Sequence, residues 1–160
     1  MSRAARAAAT VACVLLIAPA TPALATASNC ELMLVEHRSG RELVRLPLDV
    51  DRPAATVSFV HSVLGTPVSD RYEWRNGRAH LVEERFEGDG YGLPNAAGPG
   101  ETLIRDGIGW RLQLDRIIDP LVLQPVQGMT VSIADRPALR LDTLGSRRSI
   151  ALRVRGCSTH

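Results

Sequence analysis

The sequence predicts an all-β fold, a single-domain antiparallel β-sandwich or barrel of about ten short strands. From Glu31 onward, apolar and polar residues alternate with the period of two that is typical of half-buried strands. Turn-forming residues interrupt this alternation at regular intervals, and no stretch has the apolar spacing of an amphipathic helix. These observations together favour two packed sheets or a closed barrel.

The first residues have the three-part pattern of a secretory signal peptide. Two arginines precede an apolar run from Ala7 to Ile17, and an A-x-A cleavage pattern ends at Ala27. The apolar run is shorter than the ~20 residues that span a bilayer. We therefore expect cleavage of residues 1–27, which leaves residues 28–160 as one β-domain in the periplasm or outside the cell.

The charge balance of the chain argues against a nucleic-acid partner. All 19 basic residues are arginine, against 17 acids. Loss of Arg3 and Arg6 with the signal peptide would lower the net charge from +2 to zero. No later segment is apolar enough to cross a membrane, so we do not expect the mature protein to span one.

Two cysteines, Cys30 and Cys157, remain after the predicted cleavage, near the two ends of the domain. An even pair in an oxidising compartment indicates a disulfide. Two alternatives stay open. Both thiols could be free, or Cys30 could carry a lipid anchor, although Asn29 before it is a poor fit to the small residue that lipoprotein processing requires.

The strands follow one another along the chain with turn signals between them. Ser39-Gly40 joins the first two as a hairpin, and Asn76-Gly77 is the strongest two-residue hairpin signal in the sequence. The predicted strands lie within residues 31–46 (two strands), 56–63, 67–74, 78–86, 109–114, 121–126, 129–134, 138–142 and 149–155.

One segment interrupts this rhythm, the glycine-rich stretch from Phe86 to Trp110. A loop of this length inside a compact domain is usually functional or disordered. Gly90 and Gly92 resemble no phosphate-binding loop, because neither a lysine nor a helix follows them. We expect them to adopt positive φ in a tight turn.

Polar residues interrupt the apolar face of three neighbouring strands. If Asn76-Gly77 is a two-residue loop, Asp70 lies opposite Glu83. If residues 64–67 form a four-residue loop, His61 lies opposite Asp70. Side chains directly opposite each other share a face and lie ~5 Å apart. The expected core face then contains Val57, Phe59, Val63, Val68, Tyr72, Trp74 and Leu81.

The sequence therefore predicts a row of His61, Asp70 and Glu83 on the core face, with Arg85 beside Val68. Such a row is compatible with a hydrogen-bonded structural cluster, with ligand or partner recognition, or with a cation site, since imidazole and carboxylate groups ligate divalent metals. No spacing in the sequence is diagnostic of a metal, so we predict neither a metal nor a cofactor.

A catalytic role is the least favoured interpretation of this row. Ser62 points to the opposite face of the strand from His61 and cannot be its nucleophile. The chain has no G-x-S-x-G motif, and Cys157 is expected to be bridged. We therefore predict a protein that is not an enzyme, with a hydrolase as the remote alternative.

Several of these motifs resemble those of the family called domain of unknown function 1850. They are H-S-V, T-P-V-x-D, LVEERFEGDGYGLP, AGPGE and DGIGW, spread over residues 61–110. Asp70 stands where the family pattern has glutamate. The pattern falls on His61, Ser62, Val63, Pro67, Val68, Asp70, Glu83, Arg85, Phe86, Gly90, Gly92 and Pro94.

The resemblance implies a transporter context, because such domains occur beside membrane subunits of tripartite ATP-independent periplasmic (TRAP) transporters of the TAXI type. It implies an accessory domain that contacts the membrane subunit or the solute-binding protein, and the alternative is a stand-alone periplasmic module that binds a small ligand or cation. The residues expected to bind the ligand or partner are His61, Asp70, Glu83, Arg85, Gly90, Gly92 and Pro94.

Overall fold

The computed structural model describes residues 30–134, 136–145 and 148–157. The predicted signal peptide lies outside the described residues. The described chain contains eleven strands and no helix, and its two antiparallel sheets pack as a sandwich without closing into a barrel, which confirms the predicted fold. The strands are β1 (Glu31–Glu36), β2 (Glu42–Pro47), β3 (Ala54–Val60), β4 (Pro67–Arg75), β5 (Arg78–Phe86), β6 (Thr102–Asp106), β7 (Gly109–Ile118), β8 (Leu121–Leu123), β9 (Thr130–Ser132), β10 (Leu139–Arg140) and β11 (Ile150–Arg155).

The two sheets differ in size. The small sheet has the order β2-β1-β11-β8, and the large sheet has the order β10-β9-β3-β4-β5-β7-β6. The first and last strands are neighbours at the centre of the small sheet, paired from Glu31 opposite Arg155 to Glu36 opposite Ile150. Next to this pairing, Cys30 and Cys157 form a disulfide across 127 residues of sequence, as predicted.

The core lies between the inner faces of the two sheets. Alternation places every second side chain of a strand on this inner face, so the apolar period of two seen in the sequence becomes one buried layer. The small sheet contributes Leu32, Leu34, Ile150 and Leu152, and the large sheet contributes Val57, Val68, Tyr72, Trp74, Ala79, Leu81, Phe86, Leu112 and Val131.

The prediction of one long loop over residues 86–110 is partly wrong, because this segment contains strand β6. Thr102–Asp106 pairs with β7 across a tight turn at Gly107 and Ile108, with Asp106 opposite Gly109. Gly107, with a φ of +63°, occupies the first central position of this turn, where glycine is favoured, and Leu103 packs inward against the core. The irregular segment is therefore limited to residues 87–101.

The predicted register of β3 against β4 is also wrong. The strand β3 ends at Val60, and Phe59 lies opposite Val68 while Val57 lies opposite Asp70. Residues 61–66 form the connection, closed by hydrogen bonds from His61 N to Thr66 O (2.8 Å) and from Gly65 N to His61 O (2.9 Å). The shift is four residues, an even number, so the predicted inner face is kept.

Two members of the expected inner face change place as a result. Val63 lies in the connection and is 60% exposed, and His61 is the first residue of the connection instead of pairing with Asp70. The sequence-based pairing assumed a four-residue loop. The backbone instead forms a six-residue turn in which Gly65 takes a φ of +67°, a conformation that favours glycine.

A β-bulge in β5 changes the partner of Asp70. Near the hairpin the register is as predicted, with Trp74 opposite Ala79 and Tyr72 opposite Leu81. Beyond it the register shifts, and Asp70 lies opposite Glu84. The predicted pairing of Asp70 with Glu83 is therefore wrong, because the extra residue in β5 exchanges the faces of Glu83 and Glu84.

Candidate functional site

Three connections of the large sheet meet at the same end of the sandwich. They are the β3–β4 connection, the β6–β7 turn and the first part of the β5–β6 connection. The last of these starts at this end after Phe86, which lies opposite Trp110, and then runs back along the sheet to Thr102, which lies opposite Gln113. We call this region the loop end and define it as residues 60–66, 87–95 and 107–108. It contains six of the twelve residues on which the family pattern falls: His61, Ser62, Val63, Gly90, Gly92 and Pro94.

His61 connects two parts of the loop end. Its Nδ1 accepts hydrogen bonds from the backbone N–H groups of Val63 (3.3 Å) and Leu64 (3.2 Å), so it caps the turn that follows it. Its Nε2 lies 3.3 Å from the carbonyl oxygen of Tyr91. The neutral tautomer with hydrogen on Nε2 satisfies all three contacts, because Nδ1 then accepts and Nε2 donates.

Two further contacts join the same segments. The Thr66 hydroxyl donates to the carbonyl of Glu87 (2.9 Å). A Cβ at Gly88 would lie 3.1 Å from Cδ1 of Leu64, and the φ of Gly88 is +89°, so glycine suits this position on both grounds. The H-S-V motif and the glycine-rich segment therefore form one packed unit.

Tyr91 lies at the tip of this unit in a left-handed backbone conformation. The φ values of Gly90, Tyr91 and Gly92 are +77°, +51° and +92°, which confirms the prediction for both glycines. The N–H of Leu93 donates to the carbonyl of Gly90 (3.0 Å), and Leu93 packs against the core. Tyr91 is consequently directed outward and is 71% exposed.

Other large apolar side chains are exposed at the same end. Ile108 is 77% exposed in the β6–β7 turn, Val63 is 60% exposed in the β3–β4 connection, and Val60 is 55% exposed at the end of β3. Exposed apolar residues are unremarkable when they are scattered singly. Here, with Tyr91, they come from adjoining connections of one sheet, and we call these four residues the apolar tips.

Of the remaining predicted site residues, Glu83 and Arg85 lie outside the loop end and Pro94 lies within it. Glu83 and Arg85 face outward from the large sheet, where Arg85 Nε donates to Glu83 Oε1 (2.7 Å) and Arg85 Nη1 donates to Asp106 Oδ2 (3.2 Å). Pro94 is half-buried and lines a cleft of about 340 Å³ that Ile108 also lines. The predicted row is therefore not assembled, and a binding role for these residues stays a prediction.

Asp70 instead forms an inward-facing pair with Glu84. In one row across the sheet, Val57 lies opposite Asp70, Asp70 opposite Glu84, and Glu84 opposite Leu112. Val57 and Leu112 are each 1% exposed, so the two carboxyl groups lie between buried aliphatic side chains. The Oδ1 atom of Asp70 is buried without a hydrogen-bond partner in the described protein.

Burial dominates the electrostatics of this pair. It raises the pKa of Asp70 to about 7, the charge of Glu84 adds to the increase, and the Tyr72 hydroxyl opposes it. Burial likewise raises the pKa of Glu84, against the attraction of Arg116. The pKa of Tyr72 is raised by burial and by both carboxylates. The carboxyl group of Asp70 therefore changes its protonation state near neutral pH.

The glycine-rich segment ends beside this pair. Glu101 accepts a hydrogen bond from the N–H of Gly98 (2.9 Å) and forms an ion pair with Arg116. Because Arg116 attracts both Glu84 and Glu101, one guanidinium compensates two carboxylates. Within residues 30–134, 136–145 and 148–157, no three His, Cys, Asp or Glu side chains are placed to share a metal ion.

Sequence reasoning missed Glu84 and the apolar tips. For Glu84 a signal was present, because Ala79 and Leu81 occupy odd positions of β5 and Phe86 an even one, although all three are buried. Strict alternation cannot bury both ends of this strand, so an extra residue must lie between Leu81 and Phe86. The exposure of Tyr91 had no comparable signal.

Comparison with known proteins identifies one family. Its sequence profile, described as Domain of unknown function (DUF1850), matches residues 55–136, which include the loop end and the Asp70–Glu84 pair. No curated protein and no solved structure matches the chain. Within the part of the chain that the structure describes, no helix is long and apolar enough to cross a membrane. The chain belongs to the DUF1850 family.

Proposed function

We propose that this protein is an exported, non-enzymatic interaction domain whose loop end docks on the membrane subunit of a TAXI-type TRAP transporter. The observation that carries the proposal is the group of apolar tips, Val60, Val63, Tyr91 and Ile108, exposed together at one end of the sandwich. Exposed clusters of apolar residues mark interaction sites, and tyrosine is enriched among the residues that dominate binding energy.

The connections that carry the tips are ordered before any partner binds. The imidazole of His61 bridges two connections through Leu64 N and Tyr91 O, and Leu93 anchors the second connection in the core. A surface whose backbone is already fixed loses less conformational entropy on binding than a flexible one. In this account the H-S-V and G-x-G-x-P motifs act by building the surface.

The backbone of Tyr91 supports the same interpretation. A non-glycine residue with a φ of +51° is unfavourable by about 1–3 kcal/mol when the surrounding structure imposes it. Glycine at this position would avoid that cost. An aromatic side chain in such a conformation, exposed to solvent, is better explained by a contact with a partner than by the stability of the domain itself.

The choice of a membrane subunit as partner rests on the export pattern and on the family context. The described domain has no helix that could cross a membrane, so contact with a transporter would occur through its surface. The disulfide between Cys30 and Cys157 fits an oxidising compartment. A surface of apolar tips suits a stable contact with another protein better than capture of a polar solute.

The proposal is tested by co-purification in the native host. A tagged protein with Tyr91→Asn and Ile108→Ser should recover the transporter membrane subunit at least about tenfold less efficiently than the wild type. Asparagine tolerates the left-handed conformation, so the backbone is kept. The matched control is Ile117→Ser, which removes an exposed isoleucine (52%) from the other end of β7 and should leave recovery unchanged.

Two results would contradict the proposal. One is undiminished recovery of the membrane subunit by the double variant, provided that its unfolding transition matches that of the wild type. The other is normal solute uptake in a strain from which the gene has been cleanly deleted, because an accessory domain of the transporter should be needed for full uptake.

A further inference from the structure

A second surface, away from the loop end, has the composition of a ligand site. A cleft of about 580 Å³ opens on the outer face of the large sheet, between the connection that precedes β3 and the segment that follows β9. Its floor includes Thr56, Arg71 and Ser132, which form one row because Thr56 lies opposite both of the others. Arg52 and Arg136 line its two sides.

Three arginines line this cleft, and Asp49 is the single carboxylate among its described lining residues. Asp49 Oδ1 is already engaged, since it accepts the backbone N–H groups of Asp51 (2.8 Å) and Arg52 (3.2 Å). Across the described chain, Arg52 and Arg136 have no carboxylate within ion-pair distance. Among the described residues, neither of these two guanidinium groups therefore forms an ion pair.

Arg71 is only partly compensated. Its Nη2 atom lies 2.9 Å from Glu73 Oε1, and the other oxygen of Glu73 lies 2.9 Å from Arg75 Nη2. One carboxylate is thus shared between two guanidinium groups, and Arg75 also contacts Asp115. The half-buried guanidinium of Arg71 lies in the middle of the cleft floor, where a ligand anion would complete its coordination.

The rest of the lining is largely aliphatic. Pro47 and Leu48 come from one side, Ile133 and Ala134 come from the other, and Ala54 lies on the floor. Guanidinium groups bind carboxylates and phosphates through paired hydrogen bonds. Aliphatic walls add favourable contact only for a ligand that has a hydrocarbon portion, and they distinguish an organic anion from an inorganic one.

We propose that this cleft binds a small organic anion, a carboxylate on a short aliphatic body, through Arg52, Arg71 and Arg136. The carboxylate lies against the guanidinium groups, and the aliphatic body lies against the exposed side chains of Pro47 and Ala134. The site shares no residue with the loop end, so the inference does not depend on docking to a transporter.

The test is an NMR titration of the ¹⁵N-labelled protein with succinate, butyrate and inorganic phosphate. Succinate and butyrate should cause saturable shifts in the amide signals of Asp49–Arg52 and Ile133–Ala134. Because a hydrogen bond to a charged group contributes strongly to affinity, Arg136→Gln and Arg52→Gln should each weaken binding about tenfold. The matched control is Arg45→Gln, in a half-exposed arginine of β2 that pairs with Glu42.

Three outcomes would overturn the proposal. The first is the absence of saturable shifts in the amide signals at organic-acid concentrations up to about 10 mM. A dissociation constant above this concentration would be too weak for a specific site. The second is unchanged affinity in a protein that carries both arginine substitutions. The third is phosphate affinity equal to that for succinate and butyrate, which would remove the role assigned to the aliphatic walls.

Discussion

Replacing Asp70 with asparagine should stabilise the domain at neutral and alkaline pH. Asp70 lies between Val57 and Glu84 on the inner face, and burial raises its pKa from 3.8 to about 7. Between these two pH values the folded state binds more protons than the unfolded state, so unfolding free energy falls as pH rises. Asparagine keeps the shape of the side chain and removes the ionisation.

The size of the effect follows from the pKa shift. Each pKa unit corresponds to 1.36 kcal/mol, so the shift from 3.8 to about 7 sets an upper limit of about 4 kcal/mol on the destabilisation at pH 8. Asp70 retains some solvent exposure, and asparagine must also be accommodated beside Tyr72. We therefore expect Asp70→Asn to raise the unfolding free energy by about 1–3 kcal/mol at pH 8.

Urea denaturation at pH 5 and pH 8 measures this directly. The wild type should be less stable at pH 8, and Asp70→Asn should reduce that difference. The matched control is Asp115→Asn. The hydrogen bond from His80 lowers the pKa of Asp115, so ionised Asp115 stabilises the fold, whereas ionised Asp70 destabilises it. A wild type whose stability is constant or rises from pH 5 to pH 8, with no gain in Asp70→Asn, would refute the reasoning.

Three further substitutions follow from the geometry. Gly109→Ala places a Cβ 2.5 Å from the carbonyl oxygen of Phe86, so the strands must separate. Urea denaturation should show that the unfolding free energy falls by about 2–4 kcal/mol, and a variant as stable as the wild type would contradict this contact. Cys30→Ser removes the bond to Cys157 that closes a span of 127 residues, and the unfolding free energy of the variant should fall by about 2–5 kcal/mol. An unchanged melting temperature would show that the bridge does not stabilise the fold. Tyr91→Gly relieves a left-handed aromatic residue and should raise the unfolding free energy by about 0.5–1 kcal/mol while weakening docking; a clear loss of stability would mean that Tyr91 contributes to packing.

The parts of the fold that the sequence predicted correctly depend on local signals. Asn76-Gly77 fixes the β4–β5 hairpin, and the register next to it is correct for Trp74 and Tyr72. The cysteine pair was deducible from the expected compartment and the even number of cysteines. Only the hairpin inference depends on residues whose preferred geometry is independent of the rest of the chain.

The predicted row of His61, Asp70 and Glu83 was wrong where the argument depended on loop length. A slip of four residues between β3 and β4 keeps the same side chains on the inner face, so hydrophobic pattern alone cannot detect it. It nevertheless moves His61 from a core row to a capping position in a turn. In β5 a single extra residue exchanged Glu83 for Glu84, and the parity of Leu81 and Phe86 was the available evidence.

The apolar tips could not be predicted from sequence for a different reason. Tyr91 and Ile108 are residue types that are normally buried, and nothing local distinguishes an exposed tip from a core position. Their exposure depends on how the glycine-rich segment packs, through His61 and Leu93, against the end of the large sheet.

Site-specific photocrosslinking in the native host tests docking through the loop end most directly. The substitutions Tyr91→p-benzoylphenylalanine and Ile108→p-benzoylphenylalanine place a photoreactive group at two tips, and Ile117→p-benzoylphenylalanine places it at an exposed position at the other end of β7. We expect a crosslink to the transporter membrane subunit from positions 91 and 108 and none from position 117. A subunit that is captured from none of the positions, or equally from all three, would contradict docking through the loop end.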